Sequence, residues 1–255
     1  MATAPPIQGH VRGAWSARDD RTPSVVWLCI LWLGMLLGFG LDFSRFVHES
    51  PPAPRVLYVH AFVFTGWMLL LTVQVLLVLR NRIAWHRKLG WFLAVWACLM
   101  AILGPWAGMA AQAVILNTPF GDPAFLSVNI VDIAGFVILL AWGIALRKNP
   151  AAHRRMMILA TVILADPGFA RARGYPLHYH PHSVIASFFC VFYGNVVIIA
   201  LMAAWDCWRG RLMRSFVFAA IFILATEGLA SFLYFWGPWK SLALSAVQLW
   251  AEHFA

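Results

Sequence analysis

Three histidines at alternate positions, His178, His180 and His182, lie in the polar segment RGYPLHYHPHS of an otherwise apolar chain. In an extended segment, alternate side chains lie on one face, so the three imidazoles can converge on one ion. Imidazole together with carboxylate suits zinc, copper or iron, and Asp166 lies upstream in the chain. The segment therefore predicts a transition-metal site formed by the three histidines and Asp166. The alternative is a histidine-rich turn that is solvated or packed on a helix bundle.

Two arginines lie between that aspartate and the histidines. Arg171 and Arg173 argue against a bare cation site, because they would repel a cation and attract an anion. We therefore interpret them as cofactor-binding residues that favour an anionic ligand beside the metal.

Ionisable residues also occur inside the apolar runs. Such residues are costly at membrane depth and tend to be functional. We interpret Glu227 and Asp132 as candidate catalytic groups. Glu227 is expected to face the bundle near Tyr193 or Asn195 and to handle a proton. His60 is a candidate cofactor ligand at the depth of the histidine segment. The alternative for these polar groups is hydrogen bonding that only holds helices together.

A sequence repeat places two more histidines in equivalent positions. RNRIAWHRKLGW starts at Arg80 and RKNPAAHRRMMI starts at Arg147, and both follow the pattern R-x5-H-R-[K/R]. His86 and His153 are therefore candidate ligands of one haem, since bis-histidine haem needs two facing imidazoles. The alternative is a basic cluster that fixes topology and contacts lipid phosphates.

These motifs resemble those of a bacterial family of multi-pass membrane proteins of unknown function. The similarity consists of a helix with an early histidine, a basic loop, HRKLG, a second hairpin and HRRMM. It covers about residues 55–175. The resemblance implies hairpins of helix, His-Arg loop and helix, and it implies no activity.

Composition sets the fold class. The chain is 62% hydrophobic and only 11% charged, and several apolar runs exceed the roughly 18 residues of a transmembrane candidate. Backbone groups in lipid must be bonded internally, so these runs should be helices. We predict an all-α polytopic membrane helix bundle built from hairpins. Its seven helices would span about residues 24–43, 57–79, 88–115, 124–146, 154–171, 183–205 and 213–236.

The fifth predicted helix is unusual. Its apolar run has only about a dozen residues before Asp166-Pro167-Gly168, roughly 18 Å at 1.5 Å per residue, which is short of a 30 Å hydrocarbon core. Proline and glycine make a break easy there. A break would bring Asp166 and the histidine segment towards His60 and Asp132.

The predicted organisation has three parts: an N-terminal segment (1–23), a seven-helix domain (24–239) and a short amphipathic tail (240–255). Most of the 19 Lys and Arg residues fall in the first segment and in the loops after the second, fourth and sixth helices. The positive-inside rule then predicts a multi-pass protein of the bacterial inner membrane with a cytoplasmic N-terminus. The same distribution accounts for the net charge of +9 without nucleic acid.

The expected function is a metal- or haem-dependent redox protein with an outward-facing His/Asp cavity, using zinc, copper, iron or haem b. One alternative is a transporter or assembly factor that binds a metal or small anion without turnover. Another is a structural subunit of a membrane complex. The expected partners are the lipid bilayer and other membrane subunits, and whether the protein is an enzyme stays open.

Overall fold

The computed structural model describes residues 21–48, 52–172 and 181–254. Within these ranges all regular structure is helical, which confirms the all-α fold class. The helices are α1 (Arg21–Val47), α2 (Arg55–Leu79), α3 (Ile83–Ile115), α4 (Leu126–Ala145), α5 (Pro150–Val162), α6 (Asp166–Ala172), α7 (Val184–Trp208), α8 (Arg214–Phe235) and α9 (Gly237–Phe254).

Six of these helices are long and apolar enough to cross a membrane, namely α1, α2, α3, α4, α7 and α8. Their outward faces carry large apolar side chains such as Phe62, Val95 and Ile185, each about 70% exposed. An apolar outer surface is what lipid requires, and an apolar core packs inside it around Trp67 and Phe136. The described chain is therefore a polytopic helix bundle, and the expected count of about seven spans is close.

The fifth predicted span is broken, whereas the sequence alone allowed either a break or a kinked helix that continues to Arg171. α5 ends at Val162, a turn follows, and α6 begins at Asp166. α6 packs closely against α1 and α7 because glycines lie where these helices meet. A side chain at Gly38 of α1 would collide with the backbone carbonyl of Gly168, and one at Gly194 of α7 would collide with Phe169. Small residues allow this close approach of helices in membranes.

The two ends of the bundle are distinguished by two ion pairs. Arg155 pairs with Asp206 at the end where α1, α3, α5 and α8 begin, called here the Arg155 end. Arg171 pairs with Asp42 at the end where α2, α4 and α7 begin, called here the Asp42 end. Because α5 starts at the first end and α6 finishes at the second, the broken pair crosses the bundle.

α9 corresponds to the predicted amphipathic tail, although it begins earlier, at Gly237. It folds back along α3: Trp239 donates to the carbonyl of Ala124, and the rings of Trp250 and Trp106 are 6.1 Å apart between centroids. The inner face of α9 is therefore packed against protein.

Candidate functional site

Glu227 lies at the centre of the bundle on α8 and has no exposed surface. Its Oε1 accepts a hydrogen bond of 2.7 Å from Nδ2 of Asn195 on α7. Its Oε2 has no hydrogen-bond partner among the described residues. The prediction that Glu227 faces the bundle beside Asn195 is confirmed. Tyr193, the other expected neighbour, donates instead to the carbonyl of Phe169 at 2.8 Å.

Two aspartates form the second part of this cluster. Asp132 on α4 and Asp166, the first residue of α6, are 6% and 1% exposed. Their carboxyl groups lie within hydrogen-bonding reach of each other, and Glu227 is close enough to interact electrostatically with both. Two carboxyl groups can share a hydrogen bond only if one of them holds a proton. We call Asp132, Asp166 and Glu227 the carboxyl cluster.

The carboxyl groups of the cluster have few hydrogen-bond or charge partners to offset their burial. No donor hydrogen bonds to either oxygen of Asp166 or to Oδ1 of Asp132 in the described part of the chain. Arg171 acts on Asp166 electrostatically, but its Nε donates to Oδ2 of Asp42 at 3.0 Å. Its Nη1 donates to the carbonyl of Pro167. The expected anion-binding arginine is thus already held in an ion pair.

His60 lies apart from the carboxyl cluster. Its ring stacks on Phe64 with centroids 3.9 Å apart and lies against the carbonyl of Leu103 on α3. Its Nδ1 is buried and has no hydrogen-bond partner in the described structure. The cavity expected between His60, Asp132 and the histidine segment stays a prediction, because residues 173–180 of that segment lie outside the described residues.

Two of the four predicted metal ligands, His178 and His180, fall outside the described residues, as does Arg173, a predicted cofactor-binding residue. His182 is exposed just before α7. Across residues 21–48, 52–172 and 181–254, no group of three or more His, Cys, Asp or Glu side chains could hold a metal ion. Asp166, the fourth expected ligand, faces Asp132 instead. A metal site in the histidine segment stays a prediction.

The repeated histidines come together at the Arg155 end. The rings of His86 and His153 are 6.3 Å apart between centroids and lie at 85° to each other. Nδ1 of His153 is 2.8 Å from the carbonyl oxygen of Gly143. His86 lies against the carbonyl of Gln74. The repeat therefore does correspond to a spatial pair, and a haem between the rings stays a prediction.

A buried ion pair was missed from the sequence. Nε and Nη2 of Arg155 donate to the two carboxylate oxygens of Asp206, each at 2.6 Å. The repeat RKNPAAHRRMMI places Arg155 among the cations of a basic loop, but its side chain is only 8% exposed. With Trp27 and Trp205 the pair lines a cavity of about 20 Å³. In the sequence, the one sign of this ion pair is Asp206, an acidic residue at the end of an apolar run that no other feature explains.

We found no family model, curated protein or solved structure that matches this chain. The fold defines a class, a polytopic helical membrane protein. The function within that class must be inferred from the geometry described above.

Proposed function

We propose that this protein is a proton-translocating membrane carrier, and that the carboxyl cluster is its proton-binding site. The main observation behind this proposal is the contact between the carboxyl groups of Asp132 and Asp166 at the break between α5 and α6. A buried carboxylate without a cation partner is costly, so these groups favour the protonated form. Release of a proton would then place charge inside the bundle and change which helix packing is preferred.

A purely structural role fits this cluster poorly. Helices in membranes are held together by small residues and by neutral polar groups such as Ser, Thr and Asn. This bundle already uses such contacts: Ser127 on α4 donates to the carbonyl of Ala230 on α8, and Trp32 on α1 donates to Thr72 on α2. Three carboxyl groups in one buried cluster add a cost that amides or hydroxyls would avoid.

The position of the break supports a carrier. Ion-binding sites of many transporters lie where a helix is interrupted within the membrane, and irregular backbone at that depth is tolerated where protein buries it. Asp166 begins the helix that follows the break, so its carboxyl group moves with that helix. Movement of α6 would therefore alter the contact with Asp132 directly.

The residues on the two sides of the cluster differ in exposure. Towards the Asp42 end, the Arg171–Asp42 pair is partly exposed, with side chains 27% and 16% accessible. Towards the Arg155 end, the next residues along α4 and α5 are large and fully buried: Phe136, Leu139, Met156 and Leu159. This difference supports uptake of protons from the Asp42 end.

The orientation of the protein in the membrane is part of the proposal. We assign the Arg155 end to the cytoplasm, because the basic residues of the connections after α2, α4 and α7 lie there and cytoplasmic loops are enriched in Lys and Arg. The carboxyl cluster then receives protons from the outer side of a bacterial inner membrane.

Proton flux into liposomes tests the proposal. The purified protein is reconstituted with a pH-sensitive dye inside, and a potassium diffusion potential is imposed. We expect flux above that of empty liposomes, a several-fold loss in Asp166→Asn, and no loss in Glu252→Gln, which alters an exposed carboxyl group on α9. Equal flux in the wild-type protein and Asp166→Asn, with both fully reconstituted, would contradict the proposal.

A further inference from the structure

The rings of His86 and His153 are spaced as two ligands of one linearly coordinated metal ion would be. In that linear arrangement, two metal–nitrogen bonds of about 2 Å each, with the ring radii added, separate two imidazole centroids by roughly 6 Å. The observed separation is 6.3 Å. The two rings come from α3 and α5, so an ion between them would link the two hairpins of the repeat.

The ring of His153 is also held as that of a metal ligand usually is. A ligating histidine commonly donates its other ring N–H to a carbonyl, which fixes its orientation and tautomer. His153 makes such a contact through Nδ1 with the carbonyl of Gly143, and this leaves Nε2 for a ligand. His86 lies against the carbonyl of Gln74, and its Nδ1 is buried without a hydrogen-bond partner among the described residues.

Gln74 is a buried polar residue next to this pair. Its side chain is on α2 and is only 6% exposed, and its Oε1 has no hydrogen-bond partner in the described structure. Its amide nitrogen lies over Gly90, one turn beyond His86 on α3. The α2–α3 contact beside His86 therefore contains an unsatisfied polar group, which costs free energy.

The surrounding charge indicates which ion fits. Arg87 and Arg154 lie close enough to His86 to act on it electrostatically, so the site disfavours a high positive charge. The ligands are neutral, and imidazole suits copper. Monovalent copper accepts two imidazoles in a near-linear arrangement. We propose that His86 and His153 bind one monovalent copper ion.

A single ion fits this region better than a haem. Around His153, the side chains of Ala152 and Met156 are at most 1% exposed. On α4, a side chain at Gly143 would collide with Met157. The contact between α4 and α5 is therefore closed on this side of the pair, whereas a porphyrin needs an apolar slot that reaches the axial ligands.

Copper binding by the full chain in lipid nanodiscs tests this site, which is independent of the proton-translocating role. Under reducing conditions, bicinchoninate competes for monovalent copper. We expect one copper ion per chain in the wild-type protein and at least tenfold weaker binding in His86→Ala and His153→Ala. The matched control is His253→Ala, because Nδ1 of His253 also contacts a backbone carbonyl, that of Leu249, on an exposed helix surface.

X-ray absorption of the copper-loaded wild-type protein provides a second measurement that does not depend on the folding of a variant. We expect nitrogen and oxygen neighbours with imidazole scattering and no sulfur. Sulfur ligation, equal copper affinity in His86→Ala and wild type, or a haem absorption band with no copper bound would overturn the proposal.

Discussion

The carboxyl group of Asp166 meets that of Asp132 at the point where the fifth span breaks. The two residues come from different helices, α6 and α4, and in the described structure no donor hydrogen bonds to either Asp166 oxygen. Under the proposed function, this contact couples a protonation event to the position of a short helix.

The close crossing of α1 and α6 predicts a difference between two glycines on one helix. Gly38→Ala should push α6 away, because the new Cβ would collide with the carbonyl of Gly168. Overpacking of this kind costs about 1–3 kcal/mol. Gly40→Ala meets nothing within 4 Å and should leave stability unchanged or slightly higher. Thermal unfolding in detergent measures both, and equal melting temperatures would argue against the placement of α6.

The buried ion pair predicts that removing one of its two charges destabilises the protein more than removing both. Arg155→Met leaves Asp206 buried and uncompensated, which costs about 3–5 kcal/mol. The double variant Arg155→Met, Asp206→Leu removes both charges and should recover most of that loss. Arg209→Met, at an exposed arginine on the same end, serves as the control. If the double variant were as unstable as the single one, the stability loss would come from packing and not from the lone charge.

Glu227 should tolerate an amide better than truncation. Glu227→Gln keeps an oxygen that accepts from Asn195, so unfolding free energy should change by no more than about 1 kcal/mol. Glu227→Ala leaves that amide unpaired and creates a cavity, and we expect a loss of about 2–5 kcal/mol. Thermal unfolding of both variants beside Glu252→Gln provides the comparison. A Glu227→Gln protein as unstable as Glu227→Ala would mean that the negative charge itself is required.

The proposed orientation predicts one-sided labelling. After the native cysteines are replaced by alanine, a cysteine at Ser183 should react with an impermeant maleimide added outside intact spheroplasts. A cysteine at Arg209 should react only after the membrane is opened. Ser183 and Arg209 are both exposed and lie at opposite ends of α7. The reverse pattern would place the Arg155 end outside.

Much of the fold follows from the sequence, because long apolar runs and the Asp166-Pro167-Gly168 break are local features. The sequence also indicated that Glu227 faces inwards, since a charge towards lipid is costly. The equivalent histidines of the repeat do come together in space. To predict these features, one needs to know only how deep a residue lies along a helix or which positions are equivalent in the two hairpins.

Side-chain partners were harder to predict. The break predicted that Asp166 would approach Asp132, but depth along a run does not give the rotation of a helix about its axis, so which carboxyl groups interact could not be read from spacing. Arg155 looked like one more cation of a basic loop, whereas rotation of α5 turns it inwards to Asp206. The same uncertainty led to the expectation that His60 shares a cavity with Asp132, although its ring lies against α3.

The most direct test of the account is an infrared titration of the carboxyl cluster in lipid. Protonated carboxyl groups absorb in a band separate from ionised ones, and its intensity should rise as pH falls through the range of proton exchange. We predict that this buried-carboxyl band is present in the wild-type protein and in Glu252→Gln and is reduced in Asp132→Asn, Asp166→Asn and Glu227→Gln. A wild-type protein whose band is absent, or is unchanged by pH while the protein stays folded, would contradict a proton-binding cluster.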